Sequence, residues 1–173
     1  VLVLPPLSAQ PCSAQRRTAL RVGLVWESGR YRDDPFLVLE NGRKSLPETI
    51  RTQLAAALEL RGVEMVSLQL GDAAVPVGAD FLEQAEALQC CDLLLVVDTA
   101  AAHLAGALGC PTWLLLPWAA ASRWQRRRDT TPLYKSLHLI RQPRPGDWQG
   151  LLELLLQRLD QALASGDRAF IRR

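Results

Sequence analysis

Between Asp92 and Trp118 the chain reads Asp-Leu-Leu-Leu-Val-Val-Asp-Thr-Ala-Ala-Ala-His-Leu-Ala-Gly-Ala-Leu-Gly-Cys-Pro-Thr-Trp-Leu-Leu-Leu-Pro-Trp. Leu93 to Val97 is a continuous apolar run with no polar alternation, which suits a strand buried on both faces, as in a parallel sheet. The run stops at Asp98-Thr99, two residue types that cap helix N-termini because a side-chain oxygen accepts from the free N–H groups of the first turn. Ala100 to Leu108 is small and helix-favouring, and Gly109 suits the position just past a helix end. Pro111 bars further helix, and Thr112 to Leu116 is a second apolar strand. The apolar content of this region invites a membrane span, but Asp98, His103, Pro111, Pro117 and the turn signals divide it into strand, helix and strand.

A short helix beginning at the carboxyl end of a central strand has a defined chemistry. Its first turn presents unpaired N–H groups and the positive end of the helix dipole, which together suit a phosphate. Ala100, Ala101 and Ala102 let a ligand come close to the backbone. His103 lies one turn after Thr99, so it is placed to face the same mouth. The same spacing also suits a plain capped helix with a packed histidine.

Val97-Asp98-Thr99, then Ala102-His103-Leu104-Ala105-Gly106-Ala107-Leu108-Gly109, then Pro111 and Trp113-Leu114-Leu115-Leu116-Pro117 resembles the nucleotide-sugar domain of family 9 glycosyltransferases. These are the heptosyltransferase-like enzymes of two-domain GT-B architecture, and the likeness is strongest to the versions that follow tetratricopeptide repeats in bacterial proteins. It runs from about Arg21 to about Leu155 and includes Gly23-Leu24-Val25-Trp26, Ser67-Leu68-Gln69 with Gly71, and Leu133-Tyr134 with Ser136. Lys44-Ser45 matches the family's Arg-Ser, a position that resembles a ligand contact. The resemblance implies that the donor diphosphate rests on Thr99 and Ala100, helped by Lys44, with Asp98, His103 and Arg123 nearby. Gln69 ends the strand beside which GT-B folds hold the nucleoside base and ribose. One departure stands out. Where the family carries Asp-Trp-Arg-Trp, this chain has Ala121-Ser122-Arg123-Trp124. The family's catalytic acidic residue belongs to an N-terminal domain that this sequence does not contain, so no catalytic residue is assigned here.

At 173 residues the chain is long enough for one domain with a substantial core. With 49% hydrophobic and 22% charged residues it is globular, and a net charge of +2 does not point to nucleic acid or a membrane surface. Cys12, Cys90, Cys91 and Cys110 show no zinc-like spacing and are read as reduced thiols of a cytoplasmic protein. No metal site or cofactor is expected, and no Gly-rich dinucleotide fingerprint follows the first strand.

Residues 1–19, with Pro5, Pro6 and Pro11, read as a linker, 20–166 as the domain and 167–173 as a tail. Leu20 to Trp26 is the first strand. Glu27 to Lys44 reads as a long loop whose Arg30 and Arg32 are solvated. Ser45-Leu46-Pro47-Glu48 reads as a capping box opening a helix to about Arg61, with Ile50, Leu54 and Leu58 buried. Val63 to Gln69 is the second strand. Gly71 to Ala79 is short, and Asp80 with Glu83 caps a helix over Phe81 to Cys90. After Pro117, tryptophans interleave with Arg123, Arg126, Arg127 and Arg128, which reads as a mobile basic loop at the ligand mouth. Leu137 to Arg141 is the last strand. Asp147 then caps a helix with Leu151, Leu152, Leu155, Leu159 and Leu163 on its core face, and Gly166 ends it.

This alternation predicts an α/β domain, a Rossmann-like parallel sheet of about five strands in order 2-1-3-4-5 with helices on both faces, one half of a GT-B fold. The function expected is binding of a nucleotide-diphosphate sugar, in partnership with an N-terminal GT-B domain and tetratricopeptide repeats in the same polypeptide. A degenerate scaffold or protein-interaction domain is the alternative. A flavodoxin-like or response-regulator domain is disfavoured, because no acidic cluster follows strand one.

Overall fold

The computed structural model describes residues 19–29, 34–71, 81–126 and 128–165. The expectations for the linker, the tail, Cys12, Arg30, Arg32, Arg127, Asp80 and Gly166, and for most of Gly71 to Ala79, lie outside these residues. The five strands are β1 (Arg21–Val25), β2 (Glu64–Ser67), β3 (Leu93–Val97), β4 (Thr112–Leu116) and β5 (Leu137–Arg141), all parallel, in the order β2-β1-β3-β4-β5. This is the predicted order. The helices are α1 (Pro35–Lys44), α2 (Glu48–Glu59), α3 (Phe81–Gln89), α4 (Ala100–Ala107) and α5 (Trp148–Ala164). Among the described residues no helix is long and apolar enough to cross a membrane.

The apolar strands explain the two layers. Alternate residues of each strand point to opposite faces of the sheet. On one face Val22, Leu24, Leu93, Leu95, Val97, Trp113, Leu115 and Ile140 pack on α2 and α5. On the other, Val25, Leu94, Val96, Leu114, Leu116, Leu137 and Leu139 pack on α3, α4 and Trp124. Both β3 and β4 are buried along their whole length, which is why neither shows polar alternation. Each such Leu or Val contributes roughly 1.5–3 kcal/mol relative to staying exposed. Gly109, with φ of 71°, ends α4 in the left-handed conformation expected of it.

Four expectations are corrected. Glu27 to Lys44 is not a loop throughout, because Pro35–Lys44 is α1, with Asp34 accepting from the N–H groups of Phe36 and Leu37. None of the residues of α1 is buried, and Asn41-Gly42 in its second half reads as a break in the sequence. Ser45 does not cap α2. Its hydroxyl donates to Asn41 O at 2.7 Å and accepts from Ser28 N at 3.0 Å, and α2 starts after Pro47 with no side-chain cap. The segment after Pro117 is built rather than loose. Ser122–Trp124 forms a 3-10 turn, and Arg141 donates to the carbonyls of Pro117, Trp124 and Gln125. Trp124 is fully buried, so it serves the core. On α5, Leu151, Leu152, Leu155 and Leu159 are buried but Leu163 is 38% exposed, having drifted off the face at the helix end. Asp147 does cap α5, accepting from Gly150 N at 2.8 Å.

Candidate functional site

The carboxyl ends of β1, β2 and β3 open into a cavity of about 570 Å³, within the usual range for small-molecule sites. Val25, Ser28, Gln69, Gln84, Thr99 and Ala100 line it. It lies at the point where the strand order reverses between β1 and β3, the usual ligand crevice of such sheets.

Gln69 does not hold its amide free for a ligand. Its Oε1 accepts from Trp26 N at 3.1 Å and Glu27 N at 2.9 Å, so the side chain closes the end of β1. The next turn is held in the same way. Ser28 Oγ donates to Asn41 Oδ1 at 3.2 Å and Asp98 O at 3.3 Å, tying α1 to the end of β3. Arg43 reaches across to donate to Ala119 O at 2.7 Å. These contacts seat α1 beside the cavity although the helix buries none of its residues.

Asp98 directly follows β3, with its side chain 2% exposed. Two cations converge on it. Lys44 Nζ lies 4.0 Å from Oδ2, and Arg123 NH2 lies 3.5 Å from Oδ1. The first distance is too long for a hydrogen bond, and Oδ2 has no hydrogen-bond partner. The Lys44 contact is therefore a charge interaction across a gap. Arg123 also lies over the Trp124 ring, 5.8 Å from its centroid.

Thr99 occupies the N-cap position of α4 with an extended backbone, φ −139° and ψ 174°. Its hydroxyl makes no cap hydrogen bond, and Oγ1 is buried without a partner. The expected side-chain cap is thus absent; in the first turn Ala102 N donates to Thr99 O at 3.1 Å, whereas the N–H groups of Ala100 and Ala101 precede any intrahelical acceptor. Ala100 is exposed at this start, whereas Ala101 is only 4% exposed.

His103 is half-buried on α4, on the side that meets Trp124 and Tyr134. Its ring stacks on Trp124, with centroids 5.2 Å apart and planes at 26°, and Nδ1 lies 3.1 Å from Tyr134 Oη. Burial lowers its pKa below the ordinary value, the charge of Arg123 adds to that, and Asp98 opposes it.

Gln69, Thr99 and Ala100 thus stand in the cavity wall, while Lys44 and Arg123 meet on Asp98 beside it. His103 belongs to an adjoining aromatic group rather than to the wall. Ser28, Asn41 and the packing of Tyr134 had no sequence signal of their own, because each acts through a partner far along the chain.

No protein-family model and no curated protein matches this chain. Among solved structures, the E. coli ADP-heptose LPS heptosyltransferase II matches with a TM-score of 0.51 and 19% sequence identity, over 88% of this chain and 46% of that one. The chain therefore spans about half the length of that enzyme. At that identity the likeness speaks for the fold: the five-stranded parallel sheet with its flanking helices has the form of one half of a heptosyltransferase-like GT-B structure.

Proposed function

We propose that this domain binds a nucleoside diphosphate sugar as the donor of a glycosyl transfer. The observation that carries the reading is the convergence of Lys44 and Arg123 on buried Asp98, beside a helix start whose Thr99 hydroxyl is unpartnered. A lone helix N-terminus would not suffice, but two cations and a free buried hydroxyl at the same start suit a diphosphate. The diphosphate would rest on Thr99 and the Ala100 amide, with the nucleoside in the cavity toward Gln69. Charge developing on the leaving diphosphate would be stabilised by groups already in place. The acidic residue for acceptor activation would come from an N-terminal GT-B domain of the same polypeptide, with tetratricopeptide repeats as a further partner. The buried thiols Cys91 and Cys110 suit a reducing, cytoplasmic setting.

Calorimetric titration with ADP, UDP and GDP tests this. We expect one of them to bind, and Lys44→Ala to weaken that binding roughly tenfold or more, as loss of an interaction with a charged group does. Absence of heat with all three would sink the reading. A scaffold role without donor binding is the second reading, favoured by Ala121 and Ser122 and by the exposed Phe36 (68%) and Leu39 (74%) on α1, the kind of apolar surface that partners cover.

A further inference from the structure

His103 is held on two sides by residues to which the donor reading gives no task. Trp124 stacks on its face. Tyr134 meets it edge-on, with centroids 5.8 Å apart and planes at 68°, and brings Oη to 3.1 Å from Nδ1. Gly106, three residues further along α4, makes that approach feasible. A Cβ at this position would lie 2.4 Å from Tyr134 Cγ and 2.7 and 2.8 Å from the two Cδ atoms. Any larger side chain would push the phenol ring off the helix and its oxygen away from the imidazole.

The charged groups that face His103 are Arg123, from the 3-10 turn, and Asp98, from the end of β3. Lys44, on α1, acts through Asp98. Burial and Arg123 together favour the neutral ring. A neutral imidazole carries one N–H and one lone pair, and the partner of one nitrogen decides which nitrogen has the proton. A phenol hydroxyl is a stronger acid than a neutral imidazole N–H, and the imidazole nitrogen is the stronger base. The O–H···N arrangement is therefore favoured over N–H···O, with Tyr134 donating and Nδ1 accepting.

We propose that Tyr134, seated by Gly106, is a positioning residue that fixes His103 as the neutral tautomer protonated at Nε2. Nε2–H is then a hydrogen-bond donor without a charge, which the donor reading assigns to an oxygen of the diphosphate or sugar. The ligand half of this inference rests on the donor reading, whereas the tautomer half does not.

Long-range proton–nitrogen NMR of the full chain reads the tautomer directly. The chain has two histidines, and His103→Gln assigns the signals. In the ligand-free protein above pH 7, His103 should show one protonated nitrogen, Nε2. Tyr134→Phe should convert it to a mixture of tautomers, and Gly106→Ala should do the same while leaving α4 folded, since alanine favours helix over glycine. A wild-type ring protonated at Nδ1, or one unchanged by both substitutions, overturns the proposal. With whichever of ADP, UDP or GDP binds, Tyr134→Phe should weaken affinity about two- to tenfold and shift its pH profile, as loss of one hydrogen bond allows. Unchanged affinity and profile overturn the ligand half. Failure of the wild type to bind any of the three overturns that half together with the donor reading, and the tautomer spectra still decide the positioning role.

Discussion

A carboxylate at Ala100 would separate the stability of α4 from its capacity to hold an anion. Ala100 is exposed and lines the cavity at the first position of the helix. Ala101 is unsuitable, because it is 4% exposed in the α4 core and an aspartate there would bury a charge. A carboxylate at the first position favours the helix by roughly 0.3–1 kcal/mol. For a domain of this size that raises Tm by about 1–4 °C. The same carboxylate would stand roughly 5 Å from a phosphate on the α4 amides. Two unit charges at that separation repel by roughly 3 kcal/mol at an effective dielectric of 20, and by roughly 0.8 kcal/mol in bulk water. An exposed position beside a cavity lies between these limits, so about 2 kcal/mol is expected, or roughly thirty-fold weaker binding. The new charge would also draw Lys44 and Arg123 from Asp98, in the same direction. The assay pairs calorimetric affinity for the nucleoside diphosphate with Tm, for Ala100→Asp and the uncharged Ala100→Asn. In about 1 M salt, where the screening length is roughly 3 Å, the difference between the two variants should shrink. Equal affinities in low salt with intact folding would refute an anion at the start of α4.

His103 makes stability depend on pH. Its folded pKa lies below the unfolded value of about 6.5, so above that pH the ring is neutral in both states and contributes nothing. As pH falls through 6.5 toward the folded value, the unfolded chain takes the proton first and stability declines, and His103→Gln should flatten that part of the denaturation profile. Burial pushes Cys91 up to about 12 and Cys110 up to about 11, so alkylation of the folded protein at pH 8 should modify neither and should require unfolding. Trp124→Ala should cost about 3–5 kcal/mol by denaturant titration, as for other fully buried aromatics. A cost below about 1 kcal/mol would contradict its place in the core.

What the sequence determined by itself was the local part of the design. Leu93 to Val97 and Thr112 to Leu116 are legible as buried parallel strands because a run without polar alternation has no face to give to water. Pro111, Gly109 and Asp147 mark element ends because each acts through its own backbone or through an N–H within a turn. With strands and helices alternating, chain order and handedness leave few sheet arrangements, and β2-β1-β3-β4-β5 was among them. The gathering of Lys44, Asp98 and Thr99 also follows, because parallel strands carry their carboxyl ends to one side.

Only the tertiary structure decided which polar groups remain free there. Gln69 is taken up by the backbone of Trp26 and Glu27, more than forty positions away in sequence. Thr99 is left uncapping although its residue type is a capping one. Pro35 to Lys44 contains Asn41-Gly42, a pair that reads as a break, yet Asn41 is held by Ser28 and Gly29, and Arg43 by Ala119. Long-range hydrogen bonds supply what the segment's own preferences lack. Tyr134 reaches His103 because Gly106 has no side chain in its path, a condition set by two segments meeting in space. Helix and strand preferences act over a few residues, whereas the availability of a buried hydroxyl, amide or imidazole depends on which distant group arrives beside it.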